Sequence, residues 1–503
     1  MSANGYMRFK SGSDIRGIAM VGDDGKEVNL GKEEAFRLTM GFVKLLSRKT
    51  GKPAEYLKIS VGHDSRLTAR ALKNAVISAL HHAGAEAVDC GLASTPAMFM
   101  STIFEEFCCD GAIMITASHL PYNRNGFKYF DRKGGLDKED IKEIINSAEE
   151  EQMPRGLPET PETSEAGLMK AYAAHLRDKI KKETGGIEKP LTGLKIAVDA
   201  GNGAGGFYAR EILEPLGADI TGSRFLDPDG NFPNHAPNPE DKEAIDALCS
   251  AVKETGADLG IIFDTDVDRA SAVDSSGKEI NRNAIVAMAA ALIAGEHPGT
   301  TVVTDSITSD QLTVYIEQCL GLKHLRFKRG YKNVINKAIE LNNMGIDSQL
   351  AIETSGHAAY KENYFLDDGA YLATKIVIKA AQLKKAGADI SVLLSSLEEP
   401  IQAEEYRFSI ERVDFAAYAD EALETLRDWV RSERGRALGA SLAEPNYEGA
   451  RINFDNEEVQ GWCLLRKSLH DPKMPLNMEV NRGSCRTLFG YVREALEEYS
   501  DLK

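Results

Sequence analysis

The sequence predicts an α/β protein: three related α/β domains with mixed, mainly parallel sheets, followed by a C-terminal α+β domain. Three observations carry this. Apolar strand-like runs alternate with helical patterns as far as residue 400 or so, the arrangement of βαβ units. A weak echo repeats three times: segments 57–64, 194–201 and 301–305 each read as a strand ending in a small or acidic turn. Each is followed, some distance on, by a second strand that ends in a polar cluster. Beyond residue 400 the pattern changes to a helical stretch at 415–434, strand-like pieces around 450–454 and 462–465, and a closing helix from Thr487.

A chain of 503 residues is too long for one hydrophobic core. The breaks are expected at 149–165, rich in Glu, Pro and Thr, at 275–283, and at 397–404, where Glu-Glu-Pro interrupts a helical pattern. These give domains 1–160, 161–278, 279–400 and 401–503. The formal net charge of −17 argues against a general nucleic-acid binder but leaves room for a local cationic pocket. The seven cysteines are scattered and form no C-x-x-C pair, the pattern of reduced, mostly buried thiols. Residues 1–14 contain no apolar signal-like core, and no stretch is long enough to span a bilayer, so a cytoplasmic protein with no membrane partner is expected.

The three polar clusters hold the candidate chemistry. Gly111-Ala-Ile-Met-Ile-Thr-Ala-Ser-His119 begins as a buried strand and breaks into small and polar residues, with the turn residues Pro121, Asn123, Asn125 and Gly126 before Lys128. Ser118, His119 and Lys128 thus share one loop. An ordinary strand-to-turn junction would look the same on a Ser-His pair alone, and serine needs helpers to act as a nucleophile.

Asp264-Thr-Asp-Val-Asp268 places three carboxylates at alternate positions after an apolar strand. An extended backbone would set all three on one side, where three hard oxygens suit Mg²⁺. An EF-hand loop also starts D-x-D-x-D, but it needs Gly sixth and Glu twelfth, where this chain has Arg269 and Ser275.

Glu353-Thr-Ser-Gly-His357 offers a carboxylate, a hydroxyl and an imidazole, a set that can hydrogen-bond a polyol. Gly201-Asn-Gly-Ala-Gly-Gly206 fits G-x-G-x-x-G and supports a rival class, a dinucleotide-dependent oxidoreductase. That reading requires an acidic partner such as Asp227; tight backbone packing is the simpler explanation. Basic residues gather at candidate loops: Arg16, Lys128, Arg269, Lys328, Arg329, Lys332 and Arg466. In an acidic chain these read as phosphate contacts.

Taken together these stretches resemble the α-D-phosphohexomutase family of phosphomannomutases, phosphoglucomutases and phosphoglucosamine mutases. The resemblance rests on Ser11-Gly-Ser-Asp-Ile-Arg-Gly17, Val61-Gly-His-Asp-Ser-Arg66, Thr116-Ala-Ser-His119 with Asn125-Gly-Phe-Lys128, and Asp199-Ala-Gly-Asn-Gly-Ala-Gly-Gly206. It continues through Asp229-Gly-Asn-Phe-Pro-Asn-His235, Asp264-Thr-Asp-Val-Asp-Arg269 and Glu353-Thr-Ser-Gly-His357.

The resemblance implies four domains around a central cleft: a phosphoserine domain, a metal-binding domain, a sugar-binding domain and a phosphate-binding domain. Ser118 would carry the phosphoryl group, and Asp264, Asp266 and Asp268 would hold one Mg²⁺ beside it, with Ser118 as a further ligand. Arg16 and Lys128 would contact the transferring phosphate, and His119 would support the loop. Arg269, Lys332, Glu353, Ser355 and His357 would face the sugar phosphate, and Arg466, Ser468 and His470 its second phosphate. The activity implied is interconversion of hexose 1- and 6-phosphates through a hexose 1,6-bisphosphate, by a phosphomannomutase/phosphoglucomutase acting as monomer or homodimer. A phosphoglucosamine mutase is the near alternative.

The sequence departs from the family in places. Leu120 stands where Asn is usual, and Ile352-Glu-Thr where Gly-Glu-Met or Gly-Glu-Gln is common. Arg466-Lys-Ser-Leu-His-Asp-Pro-Lys473 has Leu469 and His470 in place of the Gly-Thr of the family's phosphate loop, and Pro475 in place of a later arginine.

Overall fold

The computed structural model describes residues 5–23, 25–468 and 472–503. The chain forms two compact units, Met1–Leu292 with Ser355–Ser395, and Ile293–Thr354 with Ser396–Lys503.

In the first unit a mixed sheet runs in the order Lys10–Ser11, Asp14–Ile18, Arg124–Asp131, Gly111–Ile115, Lys58–His63, Glu86–Leu92, with Gly134–Gly135 paired to Arg124–Asp131. Lys58–His63 is parallel to both of its neighbours, and the other pairs are antiparallel. Gly111–Ile115 is buried at all five positions, which is why it reads as an unbroken apolar run rather than an alternating one. Helix Lys32–Thr50 buries Ala35, Leu38, Phe42, Leu45 and Leu46 at helical spacing and ends at Gly51, whose φ of 71° supplies a left-handed cap. Asp137 starts helix Lys138–Glu150 by accepting from the Glu139 and Asp140 N–H groups. These faces join Ile59, Val61, Ile113, Ile115 and Phe127 in one core. Each such side chain contributes about 1.5–3 kcal/mol by leaving water.

A second sheet of this unit runs Glu279–Ile280, Ala270–Asp274, Leu259–Phe263, Ile196–Asp199, with only the last pair parallel. Helix Lys242–Thr255 packs on it through Ala244, Ile245, Leu248 and Val252. The glycine-rich stretch after Ile196–Asp199 serves close packing. A Cβ on Gly203 would stand 2.6 Å from the Thr265 carbonyl oxygen, and one on Gly206 would collide with that of Leu226. Asp227, the acid a dinucleotide site would need, is exposed and pairs with Arg210. The oxidoreductase reading loses its footing here. The unit is completed by helix Gly369–Lys385, which packs on Ala270–Asp274, and by the hairpin of Ala358–Tyr360 with Leu366–Asp367.

In the second unit Thr301–Thr304 pairs in parallel with Lys323–Arg326 and Leu350–Ile352. The C-terminal segment is α+β: an antiparallel sheet ordered Gln402–Ser409, Lys473–Arg482, Gln460–Leu465, Ala450–Asp455, Ala440–Leu442, covered by helices Phe415–Arg431 and Cys485–Ala495. Three of these strands, Gln402–Ser409, Ala440–Leu442 and Lys473–Arg482, have no counterpart in the sequence reading. All seven cysteines are free thiols, four of them buried. Among the described residues no helix is long and apolar enough to cross a membrane.

Candidate active site

Strand Gly111–Ile115 ends in a turn that presents Ser118 with φ of 50°, a left-handed conformation uncommon outside glycine. Local bonds hold it there. The Ser118 N–H donates to Thr116 Oγ1 at 2.8 Å, and the Thr116 hydroxyl donates to buried Asp64 at 2.7 Å. Ser118 Oγ donates to Asp264 Oδ2 at 2.9 Å and lies 3.4 Å from both His119 Nδ1 and Arg269 Nη2.

The 264–268 segment corrects the expectation of an extended strand. Alternate residues of a strand are about 7 Å apart, too far for three carboxylates to share one small ion. Val267 instead takes φ of 66°, its N–H bonds to the Asp264 carbonyl, and the backbone closes into a turn. One oxygen from each of Asp264, Asp266 and Asp268 then lies within 4.8 Å of the others. All three side chains are buried; Asp266 Oδ1 accepts no hydrogen bond, and Asp268 Oδ1 faces His357 Nε2 at 3.5 Å without one. Buried acceptors left so are costly, and a hard cation satisfies them with the all-oxygen donor set it prefers. The trio therefore fits a metal ion.

Lys128, delivered by Arg124–Asp131, bonds Asp266 at 2.9 Å and Asp268 as well. Burial alone would lower its pKa; the two carboxylates outweigh that and raise it well above the ordinary lysine value. Burial, with Asp268 and Asp266 beside it, pushes Asp264 well up. Asp268 is held well down, because Lys128 and His357 outweigh its burial. Thr95 adds a hydroxyl bond to Asp266 Oδ2 at 2.5 Å.

Arg269 ties the cluster together. Its Nη2 donates to His119 Nδ1 at 2.7 Å and its Nε to His357 Nε2 at 3.2 Å, while its backbone bridges to that of His357. Burial and the Arg269 charge push His119 down to about 2, so its ring is neutral and accepts that bond. His357 in turn bonds Ser355 at 2.9 Å. Arg16 joins from the other side, donating to the Thr116 carbonyl at 2.6 Å and pairing with Asp14 at 2.7 Å.

Ser118, His119, Lys128, the three aspartates, Arg269, Ser355 and His357 thus form one bonded cluster, with Arg16 at its edge. The candidate residues Lys332, Glu353, Arg466 and Ser468 belong to the second unit. Glu353 is buried and accepts from the Gly330 N–H at 2.6 Å. Lys332 lies in the first turn of helix Tyr331–Asn343. The Arg466 N–H bonds the Pro475 carbonyl at 3.1 Å, the Ser468 N–H that of Lys473 at 3.0 Å, and burial with nearby Arg329 lowers the Arg466 pKa. His470 lies outside the described residues.

The sequence reading assigned no role to Asp64, Arg66, Thr95 or Thr116. The first two lie in a segment already singled out, 61–66. Thr95 follows the helix-starting Ser94, and nothing in its local sequence points to Asp266.

Family models described as phosphoglucomutase/phosphomannomutase, alpha/beta/alpha domains I, II and III, match residues 8–155, 170–277 and 281–399. The chain belongs to the phosphoglucomutase/phosphomannomutase family. A phosphomannomutase/phosphoglucomutase of Pseudomonas putida is 29% identical over 84% of this chain and 84% of its own length. A phosphoglucomutase/phosphomannomutase of Thermococcus kodakarensis is 30% identical over 91% of each chain. The crystal structure of a phosphoglucomutase/phosphomannomutase family protein from Burkholderia thailandensis superposes with a TM-score of 0.77, at 25% identity and 99% coverage of both chains. The three family domains take in the strands that carry Ser118, the aspartate trio and Glu353.

Proposed function

We propose that this enzyme interconverts hexose 1-phosphate and hexose 6-phosphate, with mannose and glucose phosphates as substrates, through phosphorylated Ser118 and a hexose 1,6-bisphosphate. The observation that carries the reading is Ser118 Oγ, set on a left-handed turn 2.9 Å from a buried carboxylate of a trio suited to a divalent cation.

The phosphoryl group leaves Ser118 for the free hydroxyl of the bound sugar phosphate. The P–Oγ bond breaks, a P–O bond to the sugar forms, and the proton of the sugar hydroxyl passes, in net terms, to Ser118 Oγ. After the bisphosphate turns round, its other phosphoryl returns to Ser118, and the sugar oxygen it leaves regains a proton. Such transfers need positioning and charge neutralisation more than covalent assistance. Asp264, Asp266 and Asp268, with the Ser118 oxygen, would hold Mg²⁺, which when bound supplies positive charge to the phosphoryl oxygens. Lys128, Arg16 and Arg269 supply the fixed cationic donors, and neutral His119 orients the Arg269 guanidinium. Lys332, Glu353, Ser355 and His357 are assigned to the sugar, and Arg466, Ser468 and His470 to the phosphate that is not transferred.

A coupled assay over mannose, glucose and glucosamine 1-phosphates, with glucose 1,6-bisphosphate and Mg²⁺ present, tests this. Turnover of the mannose and glucose substrates is expected. Turnover of the glucosamine substrate alone would make the enzyme a phosphoglucosamine mutase, and turnover of none would overturn the reading.

A further inference from the structure

Arg66 is a buried arginine, 2% exposed, whose guanidinium touches neither the carboxylate trio nor Ser118 Oγ. Its bonds go to backbone. Nη2 donates to the Ser118 and Leu120 carbonyls, each at 2.5 Å, and Nη1 donates to those of Pro121 at 2.7 Å and Arg124 at 3.0 Å. One side chain therefore gathers four carbonyls of the loop that bears the nucleophile. Asp64 holds the guanidinium from behind, its Oδ2 3.3 Å from Nε, and also accepts the Thr116 hydroxyl that supports the Ser118 N–H.

A second segment closes over it. The Phe232 ring covers the guanidinium at 5.3 Å. Gly230 lies so near the 65–67 backbone that a Cβ there would stand 2.5 Å from the Leu67 nitrogen. Two segments singled out in the sequence without a role, 61–66 and 229–235, thus meet on one side chain.

We infer that Arg66 is the positioning residue that fixes the left-handed Ser118 turn, and that the 229–235 loop locks Arg66 in place. A planar guanidinium spreads its donors over a rigid fork and reaches four carbonyls at once; an ammonium has three donors, all on one nitrogen. The inference rests on the proposed role of Ser118. A misplacement of the reacting atom by about 1 Å can cost on the order of a hundredfold in rate.

The test uses full-length wild type, Arg66→Lys and Phe232→Ala, each checked for a folded thermal transition. Steady-state kinetics with glucose 1-phosphate and glucose 1,6-bisphosphate give kcat and KM separately. Intact mass after mixing with the bisphosphate gives the rate at which Ser118 becomes phosphorylated, and hydrogen exchange follows the amides of residues 118–124. For Arg66→Lys we expect kcat and the phosphorylation rate to fall roughly tenfold to a hundredfold, KM to change less than about threefold, and exchange to rise in that loop. Phe232→Ala, which leaves every Arg66 donor in place, should show the same pattern more weakly. An Arg66→Lys enzyme that melts earlier yet keeps its kcat and phosphorylation rate would overturn the inference, leaving Arg66 a structural residue only. If Arg66→Lys does not fold, unchanged kcat and loop exchange in Phe232→Ala would overturn it. Wild type that neither turns over nor gains phosphate would instead overturn the mutase reading.

Discussion

Ser118 Oγ and Asp264 Oδ2 lie 2.9 Å apart although 146 residues separate them in the chain. The contact joins a turn of the first sheet to a turn of the second, and each turn holds a non-glycine residue at positive φ, Ser118 and Val267. Strain of this kind costs about 1–3 kcal/mol per residue and persists where the surroundings enforce it. Ser118→Ala keeps the backbone and removes the acceptor of the phosphoryl group. Its intact mass should carry no phosphate after incubation with bisphosphate, and mutase turnover should collapse. Full activity in that variant would contradict the mechanism.

The aspartate trio makes a separate prediction that does not depend on turnover. Among the described residues it is the one cluster of three such groups placed to hold a metal, so a cation that binds the folded state should stabilise it by mass action. At a hundredfold its Kd, Mg²⁺ should add about 2.7 kcal/mol, seen as a rise in Tm. Asp266→Asn should lose most of that rise. Equal Tm shifts in wild type and variant would place the metal elsewhere.

A pH-dependent contribution to stability is expected from His235. Its Nε2 faces both oxygens of buried Asp199 at 3.1 Å and its Nδ1 the Ala236 carbonyl at 2.8 Å, so both nitrogens need protons. Phe225 packs edge-on against the ring, and Asp241 adds negative charge. Burial lowers the His235 pKa, but Asp199 outweighs it and the value is raised. A raised folded-state pKa gives stability that is fully present below the unfolded value, about 6.5, and is lost as pH rises through the folded value. His235→Gln should therefore cost about 1.5–3 kcal/mol in mildly acidic buffer and progressively less above neutrality. A cost that does not change with pH would show that the ring is neutral throughout.

Much of this was legible in the sequence because the site sits where buried strands stop. Gly111–Ile115 and Leu259–Phe263 are buried at every position, so they stand out as apolar runs, and the residues that follow them are conspicuously polar. What the sequence hid was the backbone at Ser118 and Val267. A β-branched residue at positive φ runs against its own preference, and it is held there by contacts from elsewhere, including the Gly369 N–H on the Val267 carbonyl. Arg66 escaped for a related reason: its partners are carbonyls, which carry no side-chain signature. Strand Gln402–Ser409 was missed because it is largely exposed, with one position buried. Lys473–Arg482 sets apolar Met474, Leu476, Met478 and Val480 at alternate positions, but it also buries Pro475 and Glu479, and a proline inside a strand obscures the pattern.

The last prediction concerns the second unit, where the chain departs most from its family. Arg466 follows strand Gln460–Leu465, and its backbone is pinned to Pro475, so its position is set by the sheet rather than by a ligand. If it binds the phosphate that is not transferred, Arg466→Ala removes a charge-assisted bond of about 1.5–3 kcal/mol. That is roughly a ten- to hundredfold loss of affinity for hexose 1-phosphate. Phosphorylation of Ser118 by bisphosphate at saturation should persist, because the reacting groups stay intact. Titrating glucose 1-phosphate against wild type, Arg466→Ala and His470→Ala at two pH values separates the arginine from the imidazole, whose contribution should appear only where the ring is protonated. Equal affinities in all three proteins would mean that this loop does not hold phosphate. Lys328 and Arg329, which follow strand Lys323–Arg326, would then be the cations to remove next.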